Sequence, residues 1–320
     1  MNITAYSPAH ADDWDLFCKT KEVGTFLHSR RFLSYHNSRF VDESCIIDID
    51  GDCVGLFPAA RALYDQSVVV SHPGITYGGL LLSPKIGGEN VILIIEKLAD
   101  YYKNRGFKEL VYNPVPIIYQ SYPGQDDLYA LFRLGGQRIK SQLSAAIDLS
   151  NPGKQSSRRK RGLKKAKKAN VTIGIGREYA SEIWGVIEER LATKYDTQPV
   201  HSIEEILVLN ELFPENIIFI AGLVDEEVVA GIVIFIVNRV FHAQYIASND
   251  KGYHVGALDY LFSYAIQMAA DSGVRYFDFG TSNEEAGMVL NQSLYQFKCE
   301  FGAGGIIHET YSLDLVGAEC

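Results

Sequence analysis

The segment Tyr276–Gly304, YFDFGTSNEEAGMVLNQSLYQFKCEFGAG, decides how the rest of the chain is read. It predicts a strand, a glycine-punctuated loop, a short amphipathic helix and a glycine turn. Tyr276, Phe277 and Phe279 flank a carboxylate, Asp278, and a polar loop opens at Gly280. Leu290, Leu294, Phe297 and Phe301 recur at helical spacing and predict one buried helical face. Lys298 falls just off that face, where its stem can lie on apolar surface while its ammonium reaches a cleft.

Upstream of this segment the second half reads as a regular series. VTIGIGRE is a strand, and ASEIWGVIEERLATKYD and SIEEILVLNELF are helices, the latter opened by a Ser202/Glu205 capping box. NIIFIAGLVDEEVVAGIVIFIVNRVFHAQYIASN gives three strands around an Asp-Glu and an Asn-Arg turn. VGALDYLFSYAIQMAADSG is a helix stopped by Gly273, VRYFDFG the strand after it, and GIIHETYSLDL the closing strand. The apolar run Val228–Val237 is about half of the roughly 20 residues a membrane span needs, so it reads as a strand buried on both faces.

The first half repeats this order. ITAYSPA is an edge strand; helices follow at DDWDLFCKT, capped by Asp12 or Asp13, and at RRFLSYHNSRF, capped by Ser29. CIIDIDGDCVGLF centres a hairpin on Asp-Gly. SVVVSHPGITYGGLLL is a strand broken by Pro73 and Gly74, and NVILIIEKLADYYKNRG a helix stopped by Gly106. KELVYNPVP, DDLYALFRLGG and QRIKSQLSAAIDL then read as strand, helix and strand. ADYYKNRGFKELVYN and AADSGVRYFDFG share a helix end, a stop glycine and a strand start. A repeat of half the chain is a domain duplication rather than a solenoid. The element order is that of the GNAT acyltransferase fold, and two copies in tandem are expected: residues 1–150 and 151–320. The fold class is α+β, with largely antiparallel sheets, flanking helices, and a closing strand able to pack back on the first copy.

Composition is that of a globular protein: of 320 residues, 47% are hydrophobic and 22% charged. The start, MNITAYSPAHADDWD, carries no export signal. Cysteines 18, 45, 53, 299 and 320 form no C-x-x-C and predict free thiols in a reducing cytoplasm. A net charge of −9 argues against general nucleic-acid binding. One stretch opposes that average. From Arg158 to Lys168 eight of eleven residues are basic, leaving 22 basic against 39 acidic residues elsewhere. This run, within the segment 156–170 that opens the second copy, is either a solvated helix or a phosphate-binding strip. Arg158, Arg159, Lys164, Lys165 and Lys168 are the candidates to meet a tRNA backbone, a nucleotide pyrophosphate or an anionic lipid head group. Without interleaved aromatics, such contact would be to phosphates and not to bases.

RRKRGLKKAKKANVTI, the pair YFDFG and LYQFKCEFG, and the tandem order together resemble the FemAB-like branch of the GNAT superfamily. The resemblance implies transfer of an amino acid from aminoacyl-tRNA to an amine on a UDP- or lipid-linked cell-wall precursor lying between the two halves. Lys298 matches the lysine of the family's F-K-x-x-F-G pattern, which implies contact with acceptor phosphate. TYGGLLLSP is similar to a family turn that lines the channel, which points to Tyr77, Gly78 and Gly79. The long helical-hairpin arm of some members is missing here.

Acyl transfer to an amine requires a neutral nucleophile, stabilisation of the oxyanion and a proton for the leaving group. Tyr245 or His242, on VFHAQYIAS, can face the cleft or pack in the core. Tyr295 can protonate a leaving group. Asp278 can orient an amine, or cap the loop around Ser282 and Asn283, which are candidates for substrate contact. CoA-using GNATs carry a basic, glycine-rich turn ahead of the third helix whose N–H groups cradle pyrophosphate. KGYHVGALD is a partial match, with Lys251, His254 and Gly256; SPKIGGEN, with Lys85, Gly87 and Gly88, is a weaker one. H-E-x-x-H, P-loop, G-x-S-x-G and paired-cysteine patterns are missing, so no metal and no tightly bound cofactor are expected. The leading expectation is a cytoplasmic FemAB-like acyltransferase using aminoacyl-tRNA or acyl-CoA on a small-molecule, lipid-linked or nucleotide-linked amine, without membrane insertion. The alternatives are an acetyl-CoA-dependent N-acetyltransferase acting on an amino sugar or small metabolite, and a non-catalytic tandem that binds a nucleotide-linked glycan or polyanion.

Overall fold

A computed structural model describes residues 1–317. The chain forms two compact units: 1–142 with 285–288 and the residues from 307 on, and 143–284 with 289–306.

The first unit begins with β1 (Asn2–Ala5), α1 (Ala11–Lys21) and α2 (Arg30–Leu33), then β2 (Cys45–Ile49), β3 (Asp52–Phe57), β4 (Ala60–Arg61), β5 (Val68–Val70) and β6 (Leu81–Leu82). It continues with α3 (Glu89–Asn104), β7 (Glu109–Tyr112) and α4 (Asp126–Arg133). The β2–β3 hairpin turns at Asp50 and Gly51, both at positive φ, as an Asp-Gly hairpin requires. Ser29 caps α2 by accepting from the Phe32 amide. Asp12 and Asp13 do not cap α1; they lie inside its first turn, where a carboxylate still complements the helix dipole. SVVVSHPGITYGGLLL is two strands rather than one: β5 pairs in parallel with β7, whereas β6 pairs antiparallel with β3 at the edge of the sheet β1–β2–β3–β6. Between them the chain passes so close to Ser71 that a Cβ on Gly78 would lie 2.0 Å from the Ser71 carbonyl oxygen. Ile94, Ile95, Leu98 and Tyr102 of α3 fill the core beneath, each such side chain contributing about 1.5–3 kcal/mol of burial.

The second unit takes Leu143–Asp148 from β8 (Gln137–Asp148), then α5 (Ser157–Lys168), β9 (Thr172–Ile175), α6 (Ala180–Tyr195), α7 (Ile203–Leu212), β10 (Ile217–Val224), β11 (Glu227–Val237) and β12 (Val240–Ser248). After these come α8 (Asp250–Val255), α9 (Ala257–Asp271), β13 (Tyr276–Thr281), the small β14 (Asn283–Glu284) and β15 (Val289–Leu290), and α10 (Gln292–Cys299). The strand order is β8–β13–β12–β11–β10–β9, and only β12 and β13 run parallel. β11 carries the Val228–Val237 run and is buried along nearly its whole length between β10 and β12. The Ser202/Glu205 capping box opens α7. Gly256, in the left-handed region, separates the short α8 from α9, and α9 is the helix expected from VGALDYLFSYAIQMAADSG. Leu290 is not part of the α10 face; it lies in β15, paired with Asn283. The closing strand β16 (Gly304–Asp314) lies largely in the first unit, where Tyr311–Asp314 pair with β7.

Phe277 and Phe279 of β13, Phe262 of α9 and Phe301 pack on one face of the second unit's sheet. Trp184 of α6 packs on the other, against Tyr245. Cys18, Cys45, Cys53 and Cys299 are unpaired thiols; Cys320 lies outside the described residues.

Candidate active site

The β12–β13 ladder holds only three residue pairs, Val240–His242 with Tyr276–Asp278, before the two strands part. Where they part, β12 shifts register against β11: Val233 faces Tyr245 and Ile234 faces Ala243, so Gln244 is an extra residue. Such a bulge increases local twist and re-aims the side chains beside it. His242 and Asp278 are register partners at the last rung. Strand alternation turns Asp278 away from the face shared by Phe277 and Phe279. Its carboxylate is fully buried. Oδ2 accepts from His242 Nδ1 at 2.9 Å, and Oδ1 accepts from the Ser144 hydroxyl at 2.5 Å and the Gly280 amide at 3.1 Å.

Because the carboxylate only accepts, Nδ1 of His242 carries a proton. An imidazole oriented by a carboxylate at a gap between strands is suited to exchanging a proton with a nucleophile through its other nitrogen, Nε2. Ser144 is the component that sequence reasoning missed. It reads as an ordinary strand serine, and only the β8–β13 pairing brings it to Asp278.

Lys298 lies beside this array. It is buried, and its Nζ donates to the carbonyls of Gly280 at 2.9 Å and Thr281 at 2.7 Å. Burial brings its pKa down to about 8, partly opposed by the Asp278 charge. The ammonium expected to reach acceptor phosphate therefore first holds the bend at the end of β13, with one of its three hydrogens left over. Asn283 Oδ1 accepts from the Leu143 amide at 2.6 Å. The Ser282 hydroxyl is buried with no hydrogen-bond partner among the described residues, and such a group normally meets water or a ligand. Asp278, Lys298, Ser282 and Asn283 thus share one neighbourhood.

Other candidates separate from it. Tyr245 packs on Trp184, its hydroxyl 2.5 Å from His201 Nδ1, and burial pushes its pKa up to about 12. That hydroxyl is committed to a structural contact. Tyr295, on α10, is half-buried beside Cys299, and burial raises its pKa. Tyr77, Gly78 and Gly79 belong to the first unit, where the Gly78 carbonyl is 2.9 Å from His28 Nε2 and Tyr77 packs on Tyr119. The basic helix α5 is not uniform. Arg159 is buried, pairing with Asp259 and Glu300 at 2.9 Å each and lying over the Phe297 ring, so it anchors the helix and is not available to phosphate. Arg158, Lys164 and Lys165 are exposed. Lys251 pairs with Glu227, and His254 Nδ1 is 2.7 Å from the Asp250 carbonyl of its own short helix.

Residues 154–287 match the family model described as acetyltransferase (GNAT) domain. Solved structures share the fold over nearly the full chain. FemX matches with a TM-score of 0.69 at 11% identity, covering 98% of this chain and 97% of its own. L-PGS from Bacillus licheniformis matches with 0.64 at 15%, covering 98% and 94%. A tandem GNAT protein from the clavulanic acid biosynthesis pathway matches with 0.55 at 10%, covering 99% of each chain. Among curated proteins no significant match is found. The fold is therefore that of tandem GNAT proteins.

A GNAT domain implies an acyl-CoA donor, with its pyrophosphate at the turn before the third helix, here the α8–α9 turn. The residues present do not fit a pyrophosphate at that turn. The Gly252 amide is bonded to Asn249 Oδ1 and the Gly256 amide to the Tyr253 carbonyl. A Cβ on Gly256 would lie 3.0 Å from the Gly162 carbonyl oxygen of α5, so that helix covers the turn. Asp259, in the first turn of α9, puts a carboxylate of this chain where the anion would sit, already paired with Arg159. Among the described residues no His/Cys/Asp/Glu group could hold a metal ion, and no helix is long and apolar enough to cross a membrane.

Proposed function

We propose that the second unit transfers an acyl or aminoacyl group to a primary amine, with His242 as general base. The observation that carries this is the His242–Asp278 contact at the last rung before β12 and β13 separate. The acceptor nitrogen attacks the acyl carbonyl carbon, Nε2 of His242 takes the proton that nitrogen sheds, and the carbonyl–carrier bond breaks. The carrier, a thiolate or hydroxyl oxygen, leaves with a proton for which Tyr295 is the donor. Asp278 and Ser144 hold the imidazole. Ser282 and the remaining hydrogen of Lys298 contact the acceptor, a role consistent with the orphaned Ser282 hydroxyl.

With the α8–α9 turn covered, the exposed cations of α5, among them Arg158, Lys164 and Lys165, are the groups suited to the phosphates of the donor. This favours a large polyanionic carrier such as aminoacyl-tRNA over CoA. An amine on a cell-envelope precursor is the acceptor class, and a reducing cytoplasm, consistent with the unpaired thiols, is the setting. The test is a side-by-side assay of acetyl-CoA and a charged tRNA pool against a panel of amino sugars and amine-bearing envelope precursors. Transfer from tRNA, abolished by His242→Ala with tRNA affinity retained, is expected. Saturable acetyl-CoA turnover without tRNA affinity would overturn the donor assignment, and full activity of His242→Ala would overturn the base.

A further inference from the structure

The first unit has an opened strand pair of its own. Near its base, the Leu80 amide donates to the Tyr112 hydroxyl at 2.7 Å and the Gly78 amide to the Asn113 carbonyl at 3.1 Å. Beyond that point β6 follows β3 while the chain after β7 turns away through Val115 and Gln120 into α4. A cavity of about 200 Å³ lies between them. Its walls combine aliphatic side chains, among them Leu80, Leu82 and Val91, with Asp127.

The charged side chains lining this cavity, Glu22, Asp126 and Asp127, are all carboxylates. Gln120 spends its amide on the Val115 and Gly124 carbonyls and accepts from the Gly124 amide. Tyr122 donates to the Leu82 carbonyl at 3.0 Å. The side-chain donors of Gln120 and Tyr122 are thus used within the protein. Asp127 accepts from the Tyr112 hydroxyl at 2.7 Å and the Leu128 amide at 2.9 Å. A carboxylate has about four acceptor positions, so Asp127 retains unused capacity beside the cavity. Among the described residues lining it, none is Lys, Arg or His. The N-terminus of α3 would favour an anion, but Asp126 fills it, its Oδ1 accepting from the Gly88 amide at 2.7 Å.

A partly apolar cavity holding an uncompensated carboxylate, with its anion position filled by the chain, selects for one charge. We propose that the cavity of the first unit binds a small organic cation, a primary ammonium on an aliphatic body, with Asp127 as its counter-ion. The ammonium donates to Asp127 and the aliphatic body covers Leu80, Leu82 and Val91. This site is independent of the chemistry assigned to the second unit, and neither stands or falls with the other.

Calorimetric titration of the full chain at pH 7.5 with pentylammonium, pentanol and pentanoate tests it, since the three probes share a body and differ in head group. Pentylammonium is expected to bind at least tenfold more tightly than pentanol, with pentanoate weakest. Asp127→Asn, which still accepts from Tyr112, is expected to lose at least tenfold in pentylammonium affinity. Backbone amide shifts in the unmodified protein locate the ligand without relying on a variant: they should cluster in residues 80–91 and 115–127. Equal or tighter binding of pentanoate or pentanol, absence of pentylammonium binding, unchanged affinity in Asp127→Asn, or shifts elsewhere would each overturn the proposal.

Discussion

The two units open a strand pair in the same place and furnish it differently. In the second unit β12 and β13 part at a carboxylate, Asp278, that receives His242, Ser144 and the Gly280 amide, with the Lys298 ammonium nearby. In the first, β6 and β7 never pair, and the carboxylate at the opening, Asp127, receives a tyrosine hydroxyl and one amide and has no cation among the residues that line its cavity. One carboxylate is fully employed in orienting an imidazole. The other retains acceptor capacity. The same kind of opening occurs in both units, and a handful of side chains make the two chemically different: the proposed base lies at one and the proposed cation site at the other.

The sharpest way to break this comparison is to remove the imidazole. His242→Ala should lower the rate of acyl transfer by about 10²–10⁴-fold, the range of general-base catalysis, with thermal stability changed little; measured single-turnover rates decide it. Asp278→Asn comes next. The amide can donate to Nδ1 and so favour the tautomer with the proton on Nε2, and a rate loss of similar order is expected with substrate binding retained. Replacing Arg158, Lys164 and Lys165 together by alanine should weaken tRNA binding. The slope of log affinity against log salt should become shallower by about 0.7–0.9 for each phosphate no longer neutralised. Arg159→Ala should instead destabilise the fold, because it strands Asp259 and Glu300; calorimetry separates the two effects.

The smaller effects concern stability against pH. Lys298 has a folded pKa of about 8, below the ordinary lysine value of 10.5. The unfolded chain then holds more protons between those values, so this residue makes stability rise with pH from about 8 to 10.5. Lys298→Met should abolish that rise and, by leaving the Gly280 and Thr281 carbonyls unpaired, cost about 1–3 kcal/mol at neutral pH. Asp127 behaves in the opposite sense. Burial raises its pKa from 3.8 to about 6, against the Tyr112 hydrogen bond and with Asp126 adding to the rise; Tyr311 also faces it. Its contribution to stability therefore falls as pH increases from 3.8 to 6. Asp127→Asn should remove that fall and, at pH 7.5, stabilise the first unit by on the order of 1 kcal/mol. Denaturant titrations at several pH values measure both slopes.

What could be seen in advance follows a physical division. The Asp50–Gly51 hairpin, the Ser29 cap, the Ser202/Glu205 box and the doubly buried β11 are written in neighbouring residues, and each stands as the local pattern implies. The tandem element order followed from them. The candidate active array was only half legible. Asp278 was visible as a carboxylate within an apolar strand, and His242 as a residue with two possible fates. Ser144 is 134 positions from Asp278 and joins it through strand pairing alone. Lys298 could be seen at the margin of an apolar helical face, but its partners are backbone carbonyls, which leave no signature. Arg159 looked like seven other cations; the clue was helical spacing, which puts it on the face of Gly162, Leu163 and Ala166. The cavity beside Asp127 could not be read from DDLYALF, because its opposite wall comes from Leu80–Leu82 and its supporting hydroxyl from Tyr112.

The central claim is that His242 is the base. Chemical rescue tests it most directly: His242→Gly, assayed in single turnover with the donor and amine that the unmodified protein uses, with and without added imidazole. The account predicts a rate about 10²–10⁴-fold below that of the unmodified protein and restored in part by imidazole in proportion to its concentration. A His242→Gly protein that is as fast as the unmodified one, or is slow and indifferent to imidazole, would contradict it.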